Sequence, residues 1–443
     1  MNPSLVERIR QNNPWLFGGE PVGVSPPSRR PEPWIERGQV EVARLLEPGK
    51  AHLVIGPRQA GKSSLVWSVL RGLERPLCLN MEEAALRAWC DSPSGFLEDL
   101  ASLGTAGSAV DALFLEEVQW LDNAALFVKG LVDRGAGFPI LVTGSSSFHL
   151  LDRTRESLAG RATRHLLLPL SLSEAAPVAG LPPAVAASQR RRAVRRQLRL
   201  GGYPEVWIGA RPEKTLGDLV QAFVLRDASD LFSVERLDAY HDVMLLAARQ
   251  VANLVNVSEY AAVASVAANT VARYLELLEQ AHVLRRLAPF AAGKRREITG
   301  ARKVFFLDNG LRNAVLGRLS DPVEGAADLG PLVENWVFAE LAKTLPWMQS
   351  IRYWRTLGGA EVDFVIDAPG GLLGIEVKAS ALTRPKLSRS SRSFVEAYAP
   401  REFWVLNDEI EADDRHGDTR LRWVPLHRLP EALGEWKVEA GPG

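Results

Sequence analysis

The stretch Ala51-His52-Leu53-Val54-Ile55-Gly56-Pro57-Arg58-Gln59-Ala60-Gly61-Lys62-Ser63-Ser64 decides the reading of this chain. An apolar run leads into a loop with glycine at both ends, and Leu65-Val66-Trp67-Ser68-Val69-Leu70 continues as a helix. This is the strand, loop and helix context that a phosphate-binding P-loop requires. The glycines let the backbone curl so that successive N–H groups face one anion, and the helix start directs its partial positive charge at the same point. Gly56, Pro57, Arg58, Gln59, Ala60, Gly61, Lys62, Ser63 and Ser64 form the expected cradle. Lys62 is placed to reach the β- and γ-phosphates of ATP, and the Ser63 hydroxyl to take one position on Mg²⁺.

Outward from this loop, apolar runs alternate with helical patterns: Ala51 to Ile55, Pro76 to Leu79, Ala112 to Leu115, Pro139 to Thr143 and Thr163 to Leu168. That alternation predicts an α/β domain with a mostly parallel sheet covered by helices. The third run ends in Glu116-Glu117, about fifty residues beyond Lys62. Glu116 is expected to hold Mg²⁺, and Glu117 to polarise the attacking water as general base. The fourth run ends in Gly144-Ser145-Ser146-Ser147, which makes Ser145 the candidate sensor of the γ-phosphate; a helix N-cap would use the same residue type.

The chain has 443 residues, enough for about three domains. Lysine plus arginine balances aspartate plus glutamate at 53 each, so any nucleic-acid contact must come from a local patch. Cys78 and Cys90 are too few for a disulfide framework and read as reduced core thiols. No apolar run approaches the roughly 20 residues of a membrane span, so no membrane partner and a cytoplasmic location are expected.

Downstream, six arginines fall within ten residues, Arg190 to Arg192, Arg195, Arg196 and Arg199. They read either as a solvated helix face or as a phosphate-backbone contact. Three short helices follow, Asp238 to Asn253, Ser258 to Ala264 and Asn269 to Gln280, then strands at Val283 to Leu287 and Lys303 to Leu307. This order resembles a winged helix-turn-helix, with Asn269 to Arg273 opening the recognition helix and Lys294 to Arg296 at the wing tip. DNA contact and a structural or protein-docking role both fit.

Near the C-terminus, Glu361-Val362-Asp363-Phe364-Val365-Ile366 turns at Ala368 to Gly371 and returns as Leu372 to Lys378, a β-hairpin pattern. With Asp367 paired to Leu372, Asp363 falls opposite Glu376 and Glu361 opposite Lys378, all four on one face. Facing carboxylates repel unless something positive lies between them, and a divalent metal on Asp363 and Glu376 is the expected occupant. Lys378 would then orient water or offset charge on a phosphate. A cross-strand Glu361–Lys378 ion pair is the structural alternative. Beyond the hairpin, Arg384, Lys386, Arg389 and Arg392 form a run without acids, suited to a phosphate backbone or to solvation.

Taken with Phe114-Leu115-Glu116-Glu117-Val118-Gln119, Val142 to Ser146, Ser157-Leu158-Ala159-Gly160-Arg161, Gly201-Gly202-Tyr203-Pro204 and Lys303 to Leu311, the P-loop sequence resembles the prokaryotic AAA+ ATPases that carry a C-terminal DUF4143 region. The Asp363, Glu376 and Lys378 hairpin, with Glu334 on the preceding helix, resembles the PD-(D/E)XK nuclease fold. Residues 1–33, with Pro26-Pro27, Arg29-Arg30 and Pro31, have a composition that favours an extended arm. The resemblances imply an AAA+ ATPase core over 34–170, a helical lid over 171–237, a winged helix-turn-helix over 238–320 and a nuclease-like α/β domain over 321–443. They imply an ATPase whose nucleotide state controls a module acting on DNA or RNA, or a switch or scaffold whose nuclease fold binds without cutting. Arg161 would be an arginine finger or sensor in a homo-oligomer, or part of a surface salt bridge. Glu116 stands where the family places Asp, one methylene longer, which is expected to slow hydrolysis more than binding.

Overall fold

The computed structural model describes residues 3–20, 22, 33–103, 110–144, 158–222, 228, 234–292, 297, 300–321, 328–345, 351–368 and 370–440. The chain divides into two compact units, Met1–Leu168 and Pro169–Gly443.

The first unit is built on five strands: β1 (Ala51–Ile55), β2 (Pro76–Asn80), β3 (Ala112–Glu116), β4 (Ile140–Gly144) and β5 (Ala162–Leu166). They lie in the order β2-β3-β4-β1-β5, every neighbour parallel. A parallel sheet is covered on both faces, which is why these strands read as unbroken apolar runs. Leu53, Ile55, Leu113, Leu115 and Val142 enter one core, and Val54, Phe114 and Leu141 enter the other with Leu65, Val66 and Trp67 of the helix Lys62–Leu70.

The N-terminal segment differs from the expected extended arm. Pro3–Asn12 is an α-helix with Ile9 fully buried, and Pro14–Phe17 is a 3₁₀ turn. The reason is the unpaired edge of β2. Asn13 Oδ1 accepts the Cys78 N–H at 2.7 Å, its Nδ2 donates to the Cys78 carbonyl at 3.0 Å, and Trp15 Nε1 donates to the Pro76 carbonyl at 2.7 Å. A side-chain amide thus satisfies edge groups that would otherwise template another strand. The proline and arginine run of 26–31 lies outside the described residues.

The P-loop is held from behind by a close approach. Gly56 has φ +152°, and a Cβ there would fall on the carbonyl oxygen of Leu167, whose N–H donates to Ile55 at 2.8 Å. Arg37, almost fully buried, donates to the Ala60 carbonyl at 2.6 Å and to the Leu168 carbonyl at 2.5 Å. One guanidinium therefore joins the loop to the last residue of the unit.

The second unit begins with helices. Pro183–Leu200 leads through Gly201 to Pro204–Ile208 and Pro212–Gln221. Leu237–Arg249, Val257–Ala264 and Ala268–Gln280 follow, then an antiparallel pair, β6 (Leu284–Leu287) and β7 (Lys303–Phe306). The predicted wing tip, Lys294 to Arg296, lies outside the described residues. Asp308 explains the Gly201-Gly202 motif: its carboxylate accepts the Gly202 N–H at 2.7 Å and caps the next helix at Leu311 N–H, 3.0 Å, where any side chain on Gly201 would collide with it.

The remaining strands, β8 (Ile351–Arg355), β9 (Glu361–Ala368), β10 (Gly371–Val377), β11 (Glu402–Asn407), β12 (Ala412–His416) and β13 (Thr419–Pro425), form a mixed sheet in the order β12-β13-β11-β10-β9-β8. The β9–β10 register pairs Asp367 with Leu372, as the sequence pattern predicts, and Gly371 also pairs with Ala368, so the pairing extends one step further toward the turn than expected.

Gly56→Ala should lower stability by more than about 2 kcal/mol, since it adds a backbone collision to a disfavoured φ. Thermal unfolding of the full chain measures this; a midpoint within a degree of wild type would contradict the close approach.

Candidate functional site

In the first unit, the carboxyl ends of β1, β3 and β4 converge on the loop. Gly61 (φ +93°) and Gln59 (φ 57°) are both left-handed, which turns backbone N–H groups toward the loop interior. Lys62 is buried, and its ammonium donates to the Gly56 and Pro57 carbonyls at 3.0 and 2.8 Å, parked over the concavity it would share with phosphate. The Ser63 hydroxyl hydrogen-bonds Glu116 at the end of β3. Burial pushes the Glu116 carboxyl up, the Ser63 bond opposes it, and Glu117 and Glu82 add to the rise. The Ser63 hydroxyl and the Glu116 carboxylate are thus two adjacent oxygen donors of the type that hold a hard cation. Glu117 has φ 53°, which turns it out of the strand line, and Gln119 Nε2 donates to its carboxylate.

Thr143 was missed in the sequence as a site residue because it closes an apolar run. Its hydroxyl is fully buried and has no hydrogen-bond partner among the described residues, at the end of β4 between the P-loop strand and the Glu116 strand. Strand alternation places Thr143 with Leu141, on the face that carries the P-loop helix. A buried hydroxyl in that position costs free energy unless something polar arrives. Ser145 lies outside the described residues. Arg161 is held by Asp133 in a surface ion pair, which pulls the Asp133 carboxyl down.

In the second unit, Glu334, Glu361, Asp363 and Glu376 do gather, but around a residue assigned only to a strand from sequence. Lys303, at the start of β7, is 2% exposed. Its ammonium meets Glu334 Oε1 at 3.1 Å and pairs with Glu361, which also meets Arg355 at 3.4 Å. Asp363 accepts the Val377 N–H at 2.7 Å. Glu376, 6% exposed, accepts from Ser388 at 2.9 Å and from Ser391, and pairs with Lys378. The expected Glu361–Lys378 pair is thus replaced by Glu361–Lys303 and Glu376–Lys378. The positive charge among these acids is an internal lysine. Among the described residues no group of three His, Cys, Asp or Glu side chains is arranged to hold a metal ion, and Asp363 and Glu376 each already accept from a protein donor.

The acids remain under electrostatic stress. Burial and the Asp363 charge push the Glu334 carboxyl up to about 8 despite Lys303, and burial raises Asp363 as well, with Glu376 and Glu361 contributing.

Three family profiles match the chain: an AAA domain over residues 48–176, a domain of unknown function (DUF8612) over 191–321, and a second domain of unknown function (DUF4143) over 329–429. An uncharacterized protein of Mycobacterium tuberculosis is 30% identical over 398 residues, covering 86% of this chain and 82% of the relative. The chain belongs to this family of AAA–DUF4143 proteins. Further relatives include uncharacterized proteins of Haemophilus influenzae, 23% identical with 73% of this chain and 81% of that one covered, and of Methanocaldococcus jannaschii, 22% identical with 72% and 73% covered. Among solved structures, a signal transduction ATPase with numerous domains and a tetratricopeptide repeat sensor, from Pyrococcus horikoshii, aligns at 14% identity and TM-score 0.26 over 73% of this chain and 48% of its own. The first unit of this AAA–DUF4143 protein is accordingly a P-loop ATPase domain.

Glu334 carries a raised carboxyl in the folded state, so its contribution to stability is full below the ordinary carboxylate value and is lost as pH rises through about 8. The stability of the wild-type chain should fall between about pH 4.5 and 8, measured by denaturant unfolding, and Glu334→Gln should flatten that fall. An unchanged slope in the variant would show that Glu334 is not the titrating group.

Proposed function

We propose that the chain is a nucleotide-dependent switch that binds ATP with Mg²⁺ in its P-loop, hydrolyses it, and passes the nucleotide state to a second unit that binds nucleic acid without cutting it. The observation that carries the ATP reading is the Ser63–Glu116 hydrogen bond next to the buried Lys62, with the Thr143 hydroxyl at the neighbouring strand end unpartnered among the described residues. The cradle from Gly56 to Ser64 would take the phosphates, with Lys62 exchanging its two carbonyl partners for phosphate oxygens. Ser63 and Glu116 would hold Mg²⁺, which supplies charge neutralisation at the γ-phosphate. Glu117 would leave Gln119 to accept a proton from the attacking water, and Thr143 would gain its missing partner at the phosphate or that water. Ser145 remains a further candidate for that contact, and Arg161 would serve a neighbouring copy only by leaving Asp133.

Transmission has a physical route in Arg37. Any shift of the loop that moves the Ala60 carbonyl also moves the group holding Leu168, and the chain passes from there directly into Pro169. Binding rather than cleavage is favoured in the second unit because Lys303, Ser388, Ser391 and the Val377 N–H already engage the acids. Nucleic acid is favoured as partner because Arg384, Lys386, Arg389 and Arg392 are all exposed and none of their side chains has a hydrogen bond or ion pair among the described residues.

Lys62→Ala should weaken ATP binding by about a hundredfold or more, the scale of losing one partner of a buried charged contact. Glu117→Gln should keep binding and lower the hydrolysis rate by about 10²–10⁴-fold. Calorimetry and phosphate release measure both; unchanged affinity in the first variant would remove the loop assignment. Serine at Arg384, Lys386, Arg389 and Arg392 together should weaken DNA or RNA binding and reduce its salt dependence. Metal-dependent cleavage that Lys378→Ala abolishes would instead establish the nuclease reading.

A further inference from the structure

The six arginines of the helix Pro183–Leu200 do not act as one face. Arg190 pairs with Glu431. Arg196 lies over the Trp207 ring at 4.4 Å and donates to the Trp207 carbonyl at 2.7 Å. Arg199 donates to the Leu319 carbonyl at 2.5 Å and meets Glu213 at 2.9 Å. Those three are structural. Arg191 and Arg195 are exposed, one helical turn apart, and neither has a hydrogen bond or ion pair among the described residues.

Both line a cavity of about 560 Å³ that lies wholly within the second unit. Arg191, Val194, Arg195 and Leu198 recur at i, i+3, i+4 and i+7, so one stripe of the helix forms a wall with alternating cationic and apolar positions. Leu426 and Val333 extend the apolar surface, and Lys378 stands at the same cavity. Asp408 and Glu409 line it too, so the cavity is bipolar rather than uniformly basic. His427 contributes a ring that burial and the Arg191 and Arg428 guanidiniums push down to about 4, leaving it neutral as a hydrogen-bonding group.

We propose that this cavity binds a nucleoside monophosphate unit. The volume is in the range of small-molecule sites. Two guanidiniums with free donors match the phosphate, where planar forks bind oxygens better than point charges do. The apolar side chains of the lining suit a base, and carboxylates at Asp408 and Glu409 suit hydroxyl or amino donors. A ligand with an anion at one end, an apolar body and donors elsewhere meets all three features; inorganic phosphate meets one. The unit comes either as a free nucleotide or as the terminal residue of a strand. The second source rests on the nucleic-acid reading of the second unit, and the first does not.

The test uses the full chain carrying Lys62→Ala, so that the P-loop does not contribute, with calorimetry against adenosine monophosphate, adenosine, inorganic phosphate, and short oligothymidylate with and without a terminal phosphate. Saturable binding of adenosine monophosphate, tighter than adenosine or phosphate alone, is expected. Arg191→Ser with Arg195→Ser should weaken it at least about tenfold, while Arg192→Ser, exposed on the same helix but outside the cavity, leaves it unchanged. Ala379→Phe should block the cavity without removing a charge, which keeps the test decisive if the double variant is unstable. Preference for the phosphorylated oligothymidylate over adenosine monophosphate assigns a strand end, and the reverse assigns a free nucleotide. No saturable binding by either, phosphate binding as tightly as the nucleotide, or equal losses in Arg192→Ser would each overturn the proposal. Duplex binding through Arg384 to Arg392 is measured separately and does not depend on this result.

Discussion

The contact between the Gly56 backbone and the Leu167 carbonyl sets how the first unit can work. β1 and β5 are neighbours, so the chain leaving β5 passes directly behind the loop leaving β1, with no space for a side chain between them. Arg37 then ties Ala60 to Leu168 with two short hydrogen bonds from one buried guanidinium. Loop and exit segment cannot be rearranged independently at low cost, because a buried donor left without its carbonyl loses free energy. A ligand that reshapes the loop therefore acts on the exit segment as well.

The second unit is governed by a different constraint, the burial of several carboxylates. Lys303 offsets them, but incompletely, since Glu334 and Asp363 still have raised carboxyls. Such a cluster is sensitive to loss of any member, because one removed partner leaves an uncompensated buried charge. The cluster joins β7, the Leu329–Thr344 helix and the β9–β10 hairpin, since Lys303, Glu334, Glu361 and Asp363 come one or two from each. Asn335 adds to the same junction by accepting the Phe306 N–H at 2.7 Å and donating to Asn309 at 2.7 Å.

Much of this was legible in the sequence. Parallel strands buried on both faces produce unbroken apolar runs, so β1 to β5 and the Glu116-Glu117 terminus could be read directly. The hairpin register could be read as well, since period-two alternation fixes which face each residue takes. What could not be read were partners distant along the chain. Lys303 looked like a strand residue because nothing local says that it meets Glu334 and Glu361. Thr143 looked like the tail of an apolar run, and that its hydroxyl is buried without a partner among the described residues depends on the neighbouring strands. Asn13 could not be seen as an edge cap because an amide pairing with Cys78 leaves no periodic signal. The arginine cluster needed the cavity to divide it into structural and free members.

The most direct test of the switch is hydrogen exchange on the full chain with and without Mg²⁺–ATP. Slower exchange is expected in the peptides covering Gly56 to Ser63, and also in those covering Leu167 to Leu170 and the Gly201-Gly202 turn that receives the Leu170 N–H. Protection confined to the P-loop, with the exit segment and the second unit unchanged, would contradict the account.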